Sequence, residues 1–212
     1  MKKNIIFSLL LTGSKNSLPL LLLIFIFLNS CTSSLYPISE DEKEYIMKDE
    51  LFGNWKEKDG SAEYIIERTE DVYFRITVID KDEPSGSGQL PVSRYDTSRF
   101  SAFMIKKNNV YFLDCFVDIY SFKQSGYSKN VIYSLLPMHM IFKIQNITQD
   151  QFLISTLEST LLKKYFIQKK DIKHETLSNE VILLTEKPTG LQQKLYTNPS
   201  IFGEITTFNR IK

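Results

Sequence analysis

The chain has little of what builds small cross-linked or metal-held domains. In 212 residues there are two cysteines, Cys31 and Cys115, two histidines, His139 and His174, one tryptophan, Trp55, and eight glycines. Two cysteines exclude a disulfide framework, so stability has to come from packing. The hydrolase and nucleotide signatures are absent: there is no Gly-x-Ser-x-Gly, no P-loop and no dinucleotide glycine pattern, and Gly86-Ser87-Gly88 lacks the third glycine. His174-Glu175 opens like a zinc-protease helix, but the second histidine would fall at Ser178, which excludes that motif. Neither charge sign dominates, with 26 Lys and Arg against 25 Asp and Glu, and nothing suggests nucleic acid. No apolar run is long enough to span a bilayer: Leu18–Leu28 has eleven residues, whereas a hydrocarbon core needs about twenty.

What is present at the start of the chain is an address. Lys2, Lys3 and Lys15 precede that apolar run, and Asn29-Ser30-Cys31 follow it, giving a basic region, an apolar region and a small-residue cleavage site. Leu28-Asn29-Ser30-Cys31 resembles the lipobox of bacterial lipoproteins, with an aliphatic residue, a tolerant position, a small residue and a cysteine. The resemblance implies a signal peptide over residues 1–30, a diacylglyceryl thioether on Cys31 and acylation of its amino group, palmitate being a typical chain. More than one acyl chain is what stable anchoring requires. It also implies the cell envelope. Thr32 is not the Asp type of inner-membrane retention signal, which favours the outer membrane. With Cys31 lipidated, Cys115 has no partner and is expected to be a small buried hydrophobe beside Leu113 and Val117.

About 180 residues then remain, which suits one domain. Residues from Cys31 to about 50 are polar and acidic and are expected to form a flexible tether. The domain is expected over 51–212. Eleven Tyr and fifteen Phe lean towards strands. Alternation marks strands over 62–68, 72–79, 100–106, 110–118, 138–145, 151–157 and 181–185. Residues 69–71 and 107–109 read as hairpin turns, since asparagine tolerates positive φ. The stretch from Asp80 to Ser98 is loop by its Pro, Gly and Ser content, and residues 120–136 are irregular. Leu157, Leu161, Leu162, Tyr165 and Phe166 recur at helical spacing among lysines, and Pro188 opens a second short helix to about Tyr196. The fold class is therefore mainly β: an antiparallel meander of about seven or eight strands, closing into a barrel or half-barrel, with two short helices near the C-terminus.

Phe52-Gly53-Asn54-Trp55 resembles the Gly-x-Trp opening strand of lipocalins, where the tryptophan closes one end of the barrel. Leu136-Pro137-Met138-His139, with Leu184-Thr185 and Leu191-Gln192 later, is similar to a group of uncharacterised bacterial lipoproteins. Pro188 departs from that pattern. The resemblance implies a shared fold and no assigned activity.

Four residues stand out for a site. Trp55 marks one end of the barrel. Asp114 and Asp118 share a strand face with Phe112 and Phe116, and would be specificity points if that face lined the interior, or solubilising charges if it met water; the second is favoured. His139 alternates out of the apolar set Met138, Met140, Phe142 and Ile144. With His174 it could bind a metal or move protons, although a structural histidine is favoured and no ligand cluster is visible. No metal or cofactor is expected. Charge is unevenly placed, with fifteen acidic and seven basic residues over 40–83 and ten and sixteen over 84–212. The leading expectation is a non-enzymatic envelope lipoprotein whose barrel binds a small apolar or amphipathic ligand. The alternatives are a scaffold holding an acidic envelope partner through its basic C-terminal half, and an enzyme centred on His139.

Overall fold

A computed structural model describes residues 32–58, 60, 62–69, 72–81, 95–117, 138–176 and 182–212. In chain order its elements are β1 (Ser33–Ser34), β2 (Tyr45–Ile46), β3 (Gly53–Glu57), β4 (Glu63–Arg68), β5 (Phe74–Lys81), β6 (Tyr95–Lys107), β7 (Val110–Val117), β8 (His139–Gln145) and β9 (Gln151–Leu157). Then come α1 (Ser159–Leu162), running into a π-helical turn at Lys163–Ile167, β10 (His174–Thr176), β11 (Ile182–Leu184), α2 (Pro188–Thr197) and β12 (Phe202–Arg210).

Eight of these strands close on themselves. β3 to β9 pair antiparallel in chain order, β12 pairs with β9, and β12 returns to β3. The result is a lipocalin-like antiparallel barrel with no free edge around the ring. The turn between β6 and β7 shows how local sequence sets the register. Lys107 pairs with Val110, and the two residues between them, Asn108 and Asn109, have φ of 48° and 62°, as a tight type I′ hairpin requires.

Strand alternation then sorts side chains between two cores. Trp55, Ile66, Phe74, Met104, Leu113, Cys115, Ile144, Phe152 and Phe208 pack together inside the barrel. Phe103, Ile105, Phe112 and Ile141 point outward from β6, β7 and β8, and pack beneath Ile38, Leu162, Phe166, Ile182, Leu184, Leu191 and Leu195. The outer wall is apolar on this side because it is covered. Leu162 and Phe166 come from α1 and its π-helical extension, so the amphipathic segment lies on the sheet. No helix among the described residues is long and apolar enough to cross a membrane.

Two expectations need correction. Residues after Cys31 do not form a tether. Ser33 and Ser34 pair with Met140 and His139 of β8 on one side and with Leu183 and Leu184 of β11 on the other. The chain then crosses the outside of β7 and β6, burying Ile38, and adds Tyr45 and Ile46 to β6 at Ile105 and Met104. Its polarity misleads because β1 contributes backbone hydrogen bonds, which serine supplies as well as any residue. The second concerns β12, which closes the barrel and was not expected as a strand. Its register shifts between Phe202 and Ile205, and Ile205 is 52% exposed. A bulge of this kind breaks the alternation from which a strand is read. The other expected strands and both helices are present, with β5 and β6 extending to Lys81 and Tyr95, into the stretch first taken as loop. The remainder of that loop, the irregular region 120–136, turn residues Glu70 and Asp71, Asp118 and Cys31 lie outside the described residues.

Candidate functional site: an apolar barrel interior and a buried acid–imidazole pair

One end of the barrel is closed by an assembly centred on Trp55. The tryptophan is completely buried, its indole N–H donates to the Leu51 carbonyl at 2.8 Å, and its ring meets Phe152 edge-on at 4.7 Å between centroids. The Arg210 guanidinium sits 4.2 Å from the indole centroid, a cation–π contact. Its nitrogens donate to the carbonyls of Phe52 at 2.8 Å, Glu50 at 2.7 Å and Gln149. Arg210 thus ties the first and last barrel strands to the short 3-10 turn Asp49–Leu51 that crosses this end. The same arginine explains Gly53, whose φ is +135° and whose missing Cβ leaves the space that a guanidinium nitrogen occupies.

Above this floor is a cavity of about 80 Å³. It is lined by apolar side chains including Ile66, Phe74, Val78, Leu113, Met140 and Phe142, and no lining residue is charged or carries an amide side chain. Tyr64 brings the one hydroxyl and Cys115 a thiol. Burial pushes the Cys115 thiol well above its ordinary range, so it behaves as a hydrophobe rather than a nucleophile. A space of this size and chemistry admits a slender apolar group rather than a drug-sized molecule.

A separate polar node lies on the outside of the barrel. Asp114 is completely buried, and its carboxylate accepts from the Ile38 backbone N–H at 2.7 Å and sits 2.7 Å from His139 Nδ1. His139 follows from register: it faces Phe116 directly across β7 and β8, placing its ring diagonal to Asp114, with Phe116 tilted over it at 5.3 Å. Burial pushes the Asp114 carboxyl up, against the opposing effects of His139 and the Ile38 N–H. The face shared by Phe112, Asp114 and Phe116 is therefore neither interior nor water-facing. Alternation identifies which residues share a face but not what covers it.

The site residues singled out from sequence are thus separated. Trp55 forms the floor beneath the cavity without lining it. Asp114 and His139 lie behind the wall, out of reach of anything inside the barrel. His139 and His174 do not meet either: His139 pairs with Ser34, Ser34 with Leu184 and Leu184 with His174, placing the imidazoles about three strand spacings, or 14 Å, apart. The His174 ring contacts the Ile172 carbonyl at 3.1 Å. No group of three or more His, Cys, Asp or Glu suited to a metal occurs among the described residues. Sequence reasoning missed Arg210 and Ile38. An isolated arginine carries no local signal, and the short cluster Leu35-Tyr36-Pro37-Ile38 has neither the strand nor the helix period that would mark Ile38 as core.

Fold and interior together define a closed lipocalin-like barrel with an apolar lumen. No protein-family model, curated protein or solved structure matches the chain.

Proposed function

We propose that this chain is an envelope lipoprotein, anchored by lipid on Cys31, preferentially in the outer membrane, whose barrel binds a small apolar or amphipathic molecule without transforming it. The observation that carries the reading is the apolar cavity within a closed barrel, walled by aliphatic and aromatic side chains and floored by Trp55. A ligand there is held by burial of apolar surface, at roughly 25 cal/mol per Å². With no charged or amide group in the lining, any polar head has to remain at the mouth. A single acyl-like tail suits 80 Å³ better than a ring system.

An enzymatic role for His139 has less support, because its Nδ1 is committed to a completely buried carboxylate behind the wall. That arrangement suits a structural clasp.

Native mass spectrometry of the protein purified from its own host, followed by denaturing extraction, tests the binding reading. A reproducible mass released on unfolding is the expected result and identifies the ligand class. A clean apo mass at native purity counts against it.

A further inference from the structure

At the closed end of the barrel, outside the lumen, lies a second and larger space. It is an open cleft of about 910 Å³ that shares no residue with the lumen lining. Met47, Lys48 and Glu50 reach it from the chain around the 3-10 turn Asp49–Leu51, Asp150 from the turn between β8 and β9, and Phe52 and Arg210 from the barrel floor. Its charges are held apart from one another. Arg210 donates to the carbonyls of Phe52, Glu50 and Gln149 and lays one face on Trp55. A guanidinium has five N–H donors, so some remain for a ligand, and among the described residues no carboxylate pairs with this one. Lys48 Nζ sits 5.6 Å from the Tyr111 ring centroid and likewise has no carboxylate partner among the described residues. On the acidic side, the Glu50 and Asp150 carboxylates make no ion pair there; only Asp49 is matched, by Arg68 at 2.5 Å.

Backbone bonds keep these groups in place. The Arg210 N–H donates to the Asp150 carbonyl at 2.9 Å, and the Leu51 N–H to the Lys48 carbonyl at 2.9 Å. Opposite charges fixed in one cleft without pairing are complementary to a molecule that carries both, since each of its ends meets a group free to form a charge-assisted hydrogen bond. Met47 and the Phe52 ring supply apolar surface for what lies between the ends. A volume near the top of the range for small-molecule sites suits a few residues of peptide rather than one amino acid. We infer that this cleft binds a short peptide with free ends, its carboxylate hydrogen-bonded by Arg210 with Lys48 beside it, and its ammonium taken by Glu50 and Asp150. The cleft stands apart from the lumen and does not depend on lipid at Cys31.

Isothermal titration calorimetry of the protein purified from its own host, with trialanine, N-acetyl-trialanine and trialanine amide as probes, tests the assignment. Trialanine is expected to bind with a millimolar or tighter Kd. Each cap should weaken binding about tenfold or more, because it removes a charged hydrogen-bonding group. In the double variant Glu50→Gln, Asp150→Asn, free and acetylated peptides are expected to bind alike while the amide stays weaker. Both substitutions keep the backbone carbonyls that accept from Arg210, and an unchanged urea midpoint shows the floor intact. Lys48→Gln should narrow the gap between free peptide and amide, with Arg210 left in place to hold the floor. Equal binding of the three probes to the parent, or no binding of trialanine at millimolar concentration, would overturn the peptide site and leave the lumen reading untouched. A preference for the free over the acetylated peptide that persists in the double variant would overturn the place given to the ammonium.

Discussion

Arg210 and Gly53 are coupled through space that only a glycine leaves open, and the coupling makes two substitutions informative. Gly53→Ala places a methyl group where the guanidinium lies and forces a non-glycine residue to φ +135°. A loss of about 1–3 kcal/mol is expected from the backbone conformation alone, read as a lowered urea midpoint. Arg210→Lys keeps the charge but cannot serve the carbonyls of Phe52, Glu50 and Gln149 at once. It should cost about 2 kcal/mol or more, since bonds from charged donors are among the stronger ones. A variant as stable as the parent would mean that Trp55 closes the barrel floor unaided. The Asp114 carboxyl gives a pH signature. Its folded pKa is raised by burial, so its contribution is fully present below the unfolded value, about 3.9, and is lost as pH rises through the folded value. Glu44, lowered by the Ser39 hydroxyl and Gln192 amide, and Glu186, lowered by Lys194, work in the opposite direction and are common to parent and variant. The stability of the parent relative to Asp114→Asn should therefore be greatest near pH 4 and decline towards neutrality. A difference that does not vary with pH would show that Asp114 ionises in the fold as easily as in the unfolded chain.

At the scale of elements, the segment from β1 to β2 behaves as a strap over the outer wall, fastened by β1 at one end, by β2 at the other and by Ile38 on Asp114 between them. Tyr45 adds a stacked contact on Phe103, 4.0 Å between ring centroids. Asp114→Ala leaves the Ile38 N–H and the His139 ring nitrogen without their shared acceptor, each at a cost of about 1–3 kcal/mol if it stays buried. Hydrogen exchange should then accelerate at the Ile38 amide while the amides of β4 keep their protection. Unchanged protection at Ile38 would show that burial of its side chain is sufficient. The legibility of these elements from sequence follows the same physics. The meander from β4 to β9 was readable because its strands alternate and the β6–β7 turn has Asn108 and Asn109 at its two positive-φ positions, whereas β3 was legible only through the Gly-x-Trp resemblance. The strap was not, because β1 is two serines whose contribution is made by backbone. The inward side of β7 was readable from Leu113 and Cys115. The fate of its outward side depended on Ile38, seventy-six residues away in sequence from Asp114.

For the molecule as a whole, the two cores divide structural from binding roles. The outer core, between the barrel wall and its strap and helices, is filled by side chains such as Phe103, Phe112, Leu162 and Leu191 and fixes the shape of the wall. The inner core keeps an apolar space, so changes there should alter binding more than fold. Cys115 is well placed to separate the two, since it lines the cavity from the centre of β7 and is small. Cys115→Leu adds volume to a lumen of about 80 Å³. Overpacking costs about 1–3 kcal/mol where no space exists, and less where a cavity receives the new methyl groups. Titrating parent and variant calorimetrically with linear alcohols from hexanol to decanol reads both effects. The parent should bind with a negative heat-capacity change, the mark of apolar burial. Cys115→Leu should bind at least tenfold more weakly, about 1.4 kcal/mol, while its urea transition keeps the parent slope. Equal affinity in the two proteins would place the alcohol somewhere other than the lumen and remove the binding reading. Weaker binding accompanied by a changed slope would show instead that the barrel had lost its compactness.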